Sequence, residues 1–130
     1  STLNGVACRA LSNCVTVTVN QINPGEIAGT QTVCSTKDPA PFTSVMAATG
    51  SGMITYQWES STVNCDTGFA PIDGATAETF DPAQGQFPVT TYFRRRATST
   101  LNGVACDEVS NCVILTVLNV DCGQFPWSGN

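Results

Sequence analysis

Histidine is missing from the chain altogether, which removes the commonest general base and the commonest metal ligand together. Positive charge is nearly as scarce. Lys37 is the only lysine, and Arg9, Arg94, Arg95 and Arg96 are the only arginines in 130 residues. With a net charge of −5, such a surface repels phosphate backbones, so no nucleic-acid partner is expected. Charged residues of both signs make up only 12%, too few for a coiled coil or a solvated acidic tail. No apolar run approaches the roughly 18–20 residues of a membrane-spanning helix, so membrane insertion is not expected. The closely spaced C-x-x-C pairs that zinc favours are also lacking. Ser, Cys and Asp residues are present, but none has a histidine to activate it, and no particular pair of carboxylates stands out for sugar hydrolysis. The expectation is a protein that is not an enzyme and carries no cofactor or metal.

What the chain does have is cysteine and repetition. Seven cysteines in a chain this short point to an oxidising compartment. STLNGVAC at the start recurs unchanged from Ser99, an offset of 98 positions, and RALSNCVTVTVNQI is then answered by DEVSNCVILTVLNV. That spacing is too long for a solenoid repeat and close to the length of an immunoglobulin-type domain. One unit is therefore phased at residues 23–120. Residues 1–22 read as the C-terminal strands of a preceding unit, and 121–130 as the start of a following segment. Ser1 falls inside the pattern, so the N-terminus reads as a cut that carries no targeting information.

Within the unit the hydrophobic period is two. Val15, Val17 and Val19 alternate with Thr16 and Thr18, and their counterparts Val113, Leu115 and Val117 keep the same inner face. On the outer face Ile114 replaces Thr16 and Leu118 replaces Asn20. Strands are expected at 26–33, 42–49, 53–60, 69–72, 79–81, 90–98 and 111–118, with Gly-, Pro- and Asp-rich turns between them. No stretch has a helical period. The fold class this predicts is all-β, an immunoglobulin-like Greek-key β-sandwich in a tandem array. Trp58 on the third strand is the expected centre of the core, and Tyr92 is placed where a tyrosine corner or a core tyrosine would be. Three successive arginines on one strand alternate between faces, so at least one must approach the core side, with Glu59 a partner for an outward one.

The residues YQW at 56–58, DGAT at 73–76 and TTYFRRR at 90–96 carry a resemblance. The unit resembles the immunoglobulin-like (PKD-like) repeats of very large surface adhesins of Bacteroidetes-type bacteria, including gliding-motility adhesins exported by the type IX secretion route. Those repeats have no enzymatic activity. The resemblance implies an extended extracellular stalk or filament on the cell surface that carries or presents adhesion. The closing DCGQFPWSGN departs from the start of the unit, which leaves open a terminal or capping segment.

Sandwich topology suggests Cys106–Cys112 as a hairpin staple, Cys34–Cys65 as a clamp across the other end, and Cys8–Cys14 as the staple of the preceding unit. Each staple closing so short a loop adds roughly 2–3 kcal/mol by chain entropy. Bonds from Cys34 or Cys65 to Cys106 or Cys112 of a following unit remain an alternative, and Cys122 is left over. Scattered carboxylates (Asp38, Asp66, Asp73, Asp81, Asp107, Glu108, Asp121) form no EF-hand spacing, although loop carboxylates between sandwiches can bind calcium. The leading expectation is a structural or adhesive module whose partners are neighbouring repeats of the same chain or filament, with surface polysaccharide as a second candidate. The alternative is a carbohydrate-binding β-sandwich of a secreted multidomain protein. Phe125 and Trp127 are the aromatics outside expected core positions.

Overall fold

The structure, a computed structural model, describes residues 2–119. It is all β. The leading segment carries β1 (Thr2–Leu3), β2 (Val6–Ala7) and, after a strandless stretch, β3 (Ile22–Asn23). Next come β4 (Glu26–Ala28), β5 (Gln31–Cys34), β6 (Thr43–Met46), β7 (Thr49–Gly50) and β8 (Met53–Ser61). The chain continues through β9 (Ala70–Pro71), β10 (Thr91–Leu101), β11 (Val104–Val109) and β12 (Val113–Leu118).

The larger sheet runs β5-β12-β10-β8-β9, with β11 pairing the distal half of β10. β10 is the spine. One edge pairs with β8 over nine residues, and the other with β12 near its start and β11 near its end. Thr91, Phe93, Arg95, Ala97 and Ser99 turn inward and are buried, as the two-residue period of a strand requires. The facing layer consists of the β4–β6 and β3–β7 pairs and a single bridge between Phe42 and Phe80. Between the layers Trp58, Phe42, Phe93 and Leu115 are fully buried, joined by Ile27, Val113 and Val117. Phe42 lies 5.9 Å from the Trp58 ring and 4.8 Å from Phe93, and Phe87 meets Phe93 edge to face at 4.8 Å. The Trp58 indole N–H donates to the Ala77 carbonyl at 2.9 Å, so the buried ring is also satisfied. This is an immunoglobulin-like Greek-key β-sandwich with Trp58 at its centre.

Several strands differ from their expected extents. The stretch 26–33 is two strands: β4 belongs to one layer, and β5 crosses over to pair parallel with β12 in the other. Gly29, at φ 138°, makes the switch, and a Cβ there would sit 2.4 Å from the Phe42 ring. The expected strand 79–81 is reduced to the Phe42–Phe80 bridge, and 69–72 to the two residues of β9. The expected strand 111–118 is β12, but an additional strand, β11, precedes it, because Asn102 and Gly103 both take positive φ and close a two-residue hairpin between β10 and β11. Tyr92 is no tyrosine corner. Its neighbours Thr91 and Phe93 face the core, so Tyr92 lies on the outer face, half-buried between Ile114 and Ser61. Asp121, Cys122, Phe125 and Trp127 lie outside the described residues.

Candidate functional site

Residues 2–23 approach the sandwich from outside it. Their first feature is local. Thr2 pairs with Ala7 and Leu3 with Val6 around Asn4 and Gly5, both at positive φ. The same sequence closes the β10–β11 hairpin, where Thr100 pairs with Ala105 and Leu101 with Val104. After Ala7 the two copies part. Val113, Leu115 and Val117 are 2%, 0% and 7% exposed, whereas Val15, Val17 and Val19 are 81%, 83% and 62% exposed. Nothing among the described residues covers that apolar face.

The segment then docks. Both N–H groups of the Asn20 side-chain amide donate to the carbonyls of Ser99 (2.7 Å) and Val104 (2.9 Å), and its oxygen accepts from the Ser99 hydroxyl (2.8 Å). Gln21 exchanges bonds with Ser51: its N–H donates to the Ser51 hydroxyl, and its carbonyl accepts from the Ser51 N–H, both at 3.0 Å. Ile22 and Asn23 pair with Gly50 and Thr49. Gly50 is required by proximity, since a Cβ there would lie 2.7 Å from the Gln21 carbonyl oxygen and 2.9 Å from the Ser99 side chain. Two shallow clefts flank this strip. One, of about 360 Å³, is lined by residues 21–23 and 49–51. The other, of about 320 Å³, lies between Thr16, Thr18 and Asn20 on one side and Leu101, Val104 and Cys106 on the other. Sequence reasoning missed Asn20. The signal was there in the repeat, where Leu118 stands in its place between otherwise similar strands.

A family model described as Domain of unknown function (DUF8696) matches residues 23–119. The chain belongs to this family. No curated protein and no solved structure matches it significantly.

Inside the DUF8696 domain the three arginines are all engaged: Arg95 within the sandwich, and Arg94 and Arg96 on the outer face, where they share Glu59. Arg95 points between the sheets and is fully buried. It donates to the Ser44 hydroxyl and to the carbonyls of Glu78, Pro24 and Met46, at 2.8–3.2 Å. The Tyr56 ring lies 4.6 Å from its guanidinium, and Nε alone has no partner. Burial pushes its pKa below the ordinary arginine value, against the pull of Tyr56 and Glu78. It ties three carbonyls of the facing layer and its loops to the spine strand.

On the outer face Glu59 takes Arg94 on one carboxylate oxygen (2.6 Å) and Arg96 on the other (2.8 Å), and Arg96 also reaches Asp107. Burial pushes the Glu59 carboxyl up, but the hydrogen bonds from Arg96 and Arg94 outweigh it and hold the pKa below the usual range. Phe69 stacks 4.1 Å from the Arg94 guanidinium. The arginine cluster is thus consumed by cross-strand pairing and stacking.

The cysteines pair differently from expectation. Cys65 bonds Cys112, with Cα atoms 5.8 Å apart. The loop after β8 is therefore tied to the residue before β12, although β10 lies between those two strands in the sheet. Cys106–Cys112 does not form, because both lie along one nearly extended edge of β10. Six residues of strand separate them by about 20 Å, far beyond disulfide reach. Cys34–Cys65 does not form either. Cys34, level with Leu118, is disulfide-bonded, but not to Cys65. Cys14 and Cys106 are free thiols, so the Cys8–Cys14 staple is not made. Among the described residues no group of three or more His, Cys, Asp or Glu side chains gathers, and Asp107 is already engaged by Arg96.

Proposed function

We propose that this DUF8696 domain is a non-catalytic structural or adhesive module, one of a series in a long secreted protein at the cell surface. The observation that carries it is the pair of copies: a strand whose valines are exposed here has a counterpart that fills the core of the same fold. The exposed copy fits a sandwich of its own kind. Burying three such side chains is worth about 5–8 kcal/mol, a strong incentive to complete a neighbouring unit. The Cys65–Cys112 bond supports an oxidising, extracellular setting. The resemblance to gliding-motility and related adhesin repeats supports a role in adhesion. The large aromatics Phe42, Trp58, Phe80, Phe87 and Phe93 pack into or against the core, which favours the structural reading over a sugar-binding face.

The test is a two-unit protein made by placing residues 23–98 ahead of Ser1, so that residues 1–22 supply the last strands of the added unit. Small-angle X-ray scattering should show a rod longer than the single chain by about 36 Å, the length of an 11-residue strand such as β10. A particle whose added residues stay unfolded, or collapse against the existing domain without lengthening it, contradicts the proposal. Saturable binding of a single unit on a glycan array would favour the carbohydrate-binding alternative.

A further inference from the structure

We infer that residues 19–23 form a rigid joint, with Asn20 as its lock, which holds a preceding sandwich of the same family at a fixed angle on the β10–β11 end of this domain. The inference rests on the serial reading above and adds what sets the geometry between units.

The physical case begins with the amide of Asn20. It can donate twice and accept once along fixed directions, and the Ser99 and Val104 carbonyls and the Ser99 hydroxyl use all of these. The Ser99 hydroxyl in turn accepts from the Gly52 N–H at 2.8 Å, so the lock is tied to the turn before β8 as well as to β10. Gln21 and Ser51 add a two-way bond, and the Ser51 hydroxyl also reaches the Val19 carbonyl at 3.4 Å. β3–β7 pairing completes the strip. Each residue from 19 to 23 is therefore bonded to the domain, leaving no free spacer between the last exposed valine and the first strand. A Gly/Ser-type linker would behave as a coil; this one cannot.

The repeat shows what would meet the joint. Leu118, the counterpart of Asn20, is in register with Cys34, and its carbonyl accepts from the Ser35 N–H at 2.9 Å. A preceding unit built alike brings its own turn after β5 alongside Asn20, against the β10–β11 tip. That tip presents Met53 and Val104, both exposed apolar side chains, from the two strands that flank the end of β10. The partner surface is thus the far end of another sandwich. The Leu118 side chain cannot reproduce the lock, having neither donor nor acceptor, so the residue at this position distinguishes a locked joint from an unlocked one.

Nuclear magnetic relaxation of the two-unit protein described above provides the test, with hydrogen exchange at residues 13–19 recorded on the same sample. In the unaltered protein both units should share one rotational correlation time, clearly above that of the single chain because 76 residues are added to 130 and the rigid particle is longer. Asn20→Leu and Ser51→Ala should each lower it toward the single-unit value, while the melting of the domain at 23–119 stays unchanged. Independent tumbling of the unaltered units with 13–19 protected overturns the joint and leaves the serial reading standing. Common tumbling that survives both substitutions also overturns it. If 13–19 are unprotected, the serial reading fails and the joint fails with it.

Discussion

The same run of sequence meets two fates in one molecule. At residues 99–118 it is strand, turn and strand, with its apolar face sealed in the core. At residues 2–20 only the hairpin tip forms, and the valines beyond it face outward. The Asn-Gly turn needs nothing but its own φ preferences, so it closes in both places. The strand after it needs a neighbour: β10 for its hydrogen bonds and Trp58, Phe93 and Phe42 for its side chains. The difference separates what sequence dictates locally from what it dictates only in company. On the serial reading proposed above, the neighbour that the exposed strand needs is a sandwich like the one present.

The largest contrast concerns Cys112 and its counterpart Cys14. Removing the 47-residue Cys65–Cys112 closure by Cys112→Ala should cost about 4 kcal/mol in denaturant melts, whereas Cys14→Ala in the single chain should cost nothing measurable. Native-state alkylation followed by mass spectrometry should label Cys14 and spare Cys65 and Cys112. Next comes the core face. Leu115→Ala should destabilise by about 2–5 kcal/mol, while Val17→Ala should stay within about 0.5 kcal/mol in the single chain and become costly only in the two-unit protein.

A smaller effect, and a pH-dependent one, belongs to Glu59. Its pKa is lowered on folding, so its contribution is fully present above the ordinary value of 4.5 and is lost as pH falls through the folded value. Glu59→Gln should cost about 1–3 kcal/mol near neutrality, and the difference in melting temperature from the unaltered chain should shrink below pH 4.5. A difference independent of pH would mean that the Arg94 and Arg96 pairs contribute nothing. The smallest contrast is at the turns. Gly103→Ala forces a side chain into a positive φ and should cost about 1–2 kcal/mol, whereas Gly5→Ala should leave the melting of the domain untouched.

Much of the fold was legible because alternation is a local property. The inner faces of the third and last strands, the place of Trp58, and the division of Arg94, Arg95 and Arg96 between two faces all follow from a period of two. Glu59 as a partner for an outward arginine followed from strand adjacency. What escaped was non-local. The switch of the first strand between sheets depends on Gly29 passing the Phe42 ring, a contact made across the sandwich. The Cys65–Cys112 bond links segments next to β8 and β12, which have β10 between them, and spacing along the chain does not encode that. One miss was avoidable. Asn102-Gly103 is the strongest short hairpin signal in the sequence; it implies a strand from Val104 ahead of the last one, which keeps Cys106 apart from Cys112. Asn20 showed only as a difference between copies, and its role needed the carbonyls of Ser99 and Val104 to be in place.

The central claim is that residues 13–19 are a core strand waiting for its own sandwich. Amide hydrogen exchange tests it most directly, comparing the single chain with the protein that carries residues 23–98 ahead of Ser1. The account predicts fast exchange at Val15, Val17 and Val19 in the single chain, and protection in the two-unit protein close to that of Val113, Leu115 and Val117. Equal, unprotected exchange in both would contradict it.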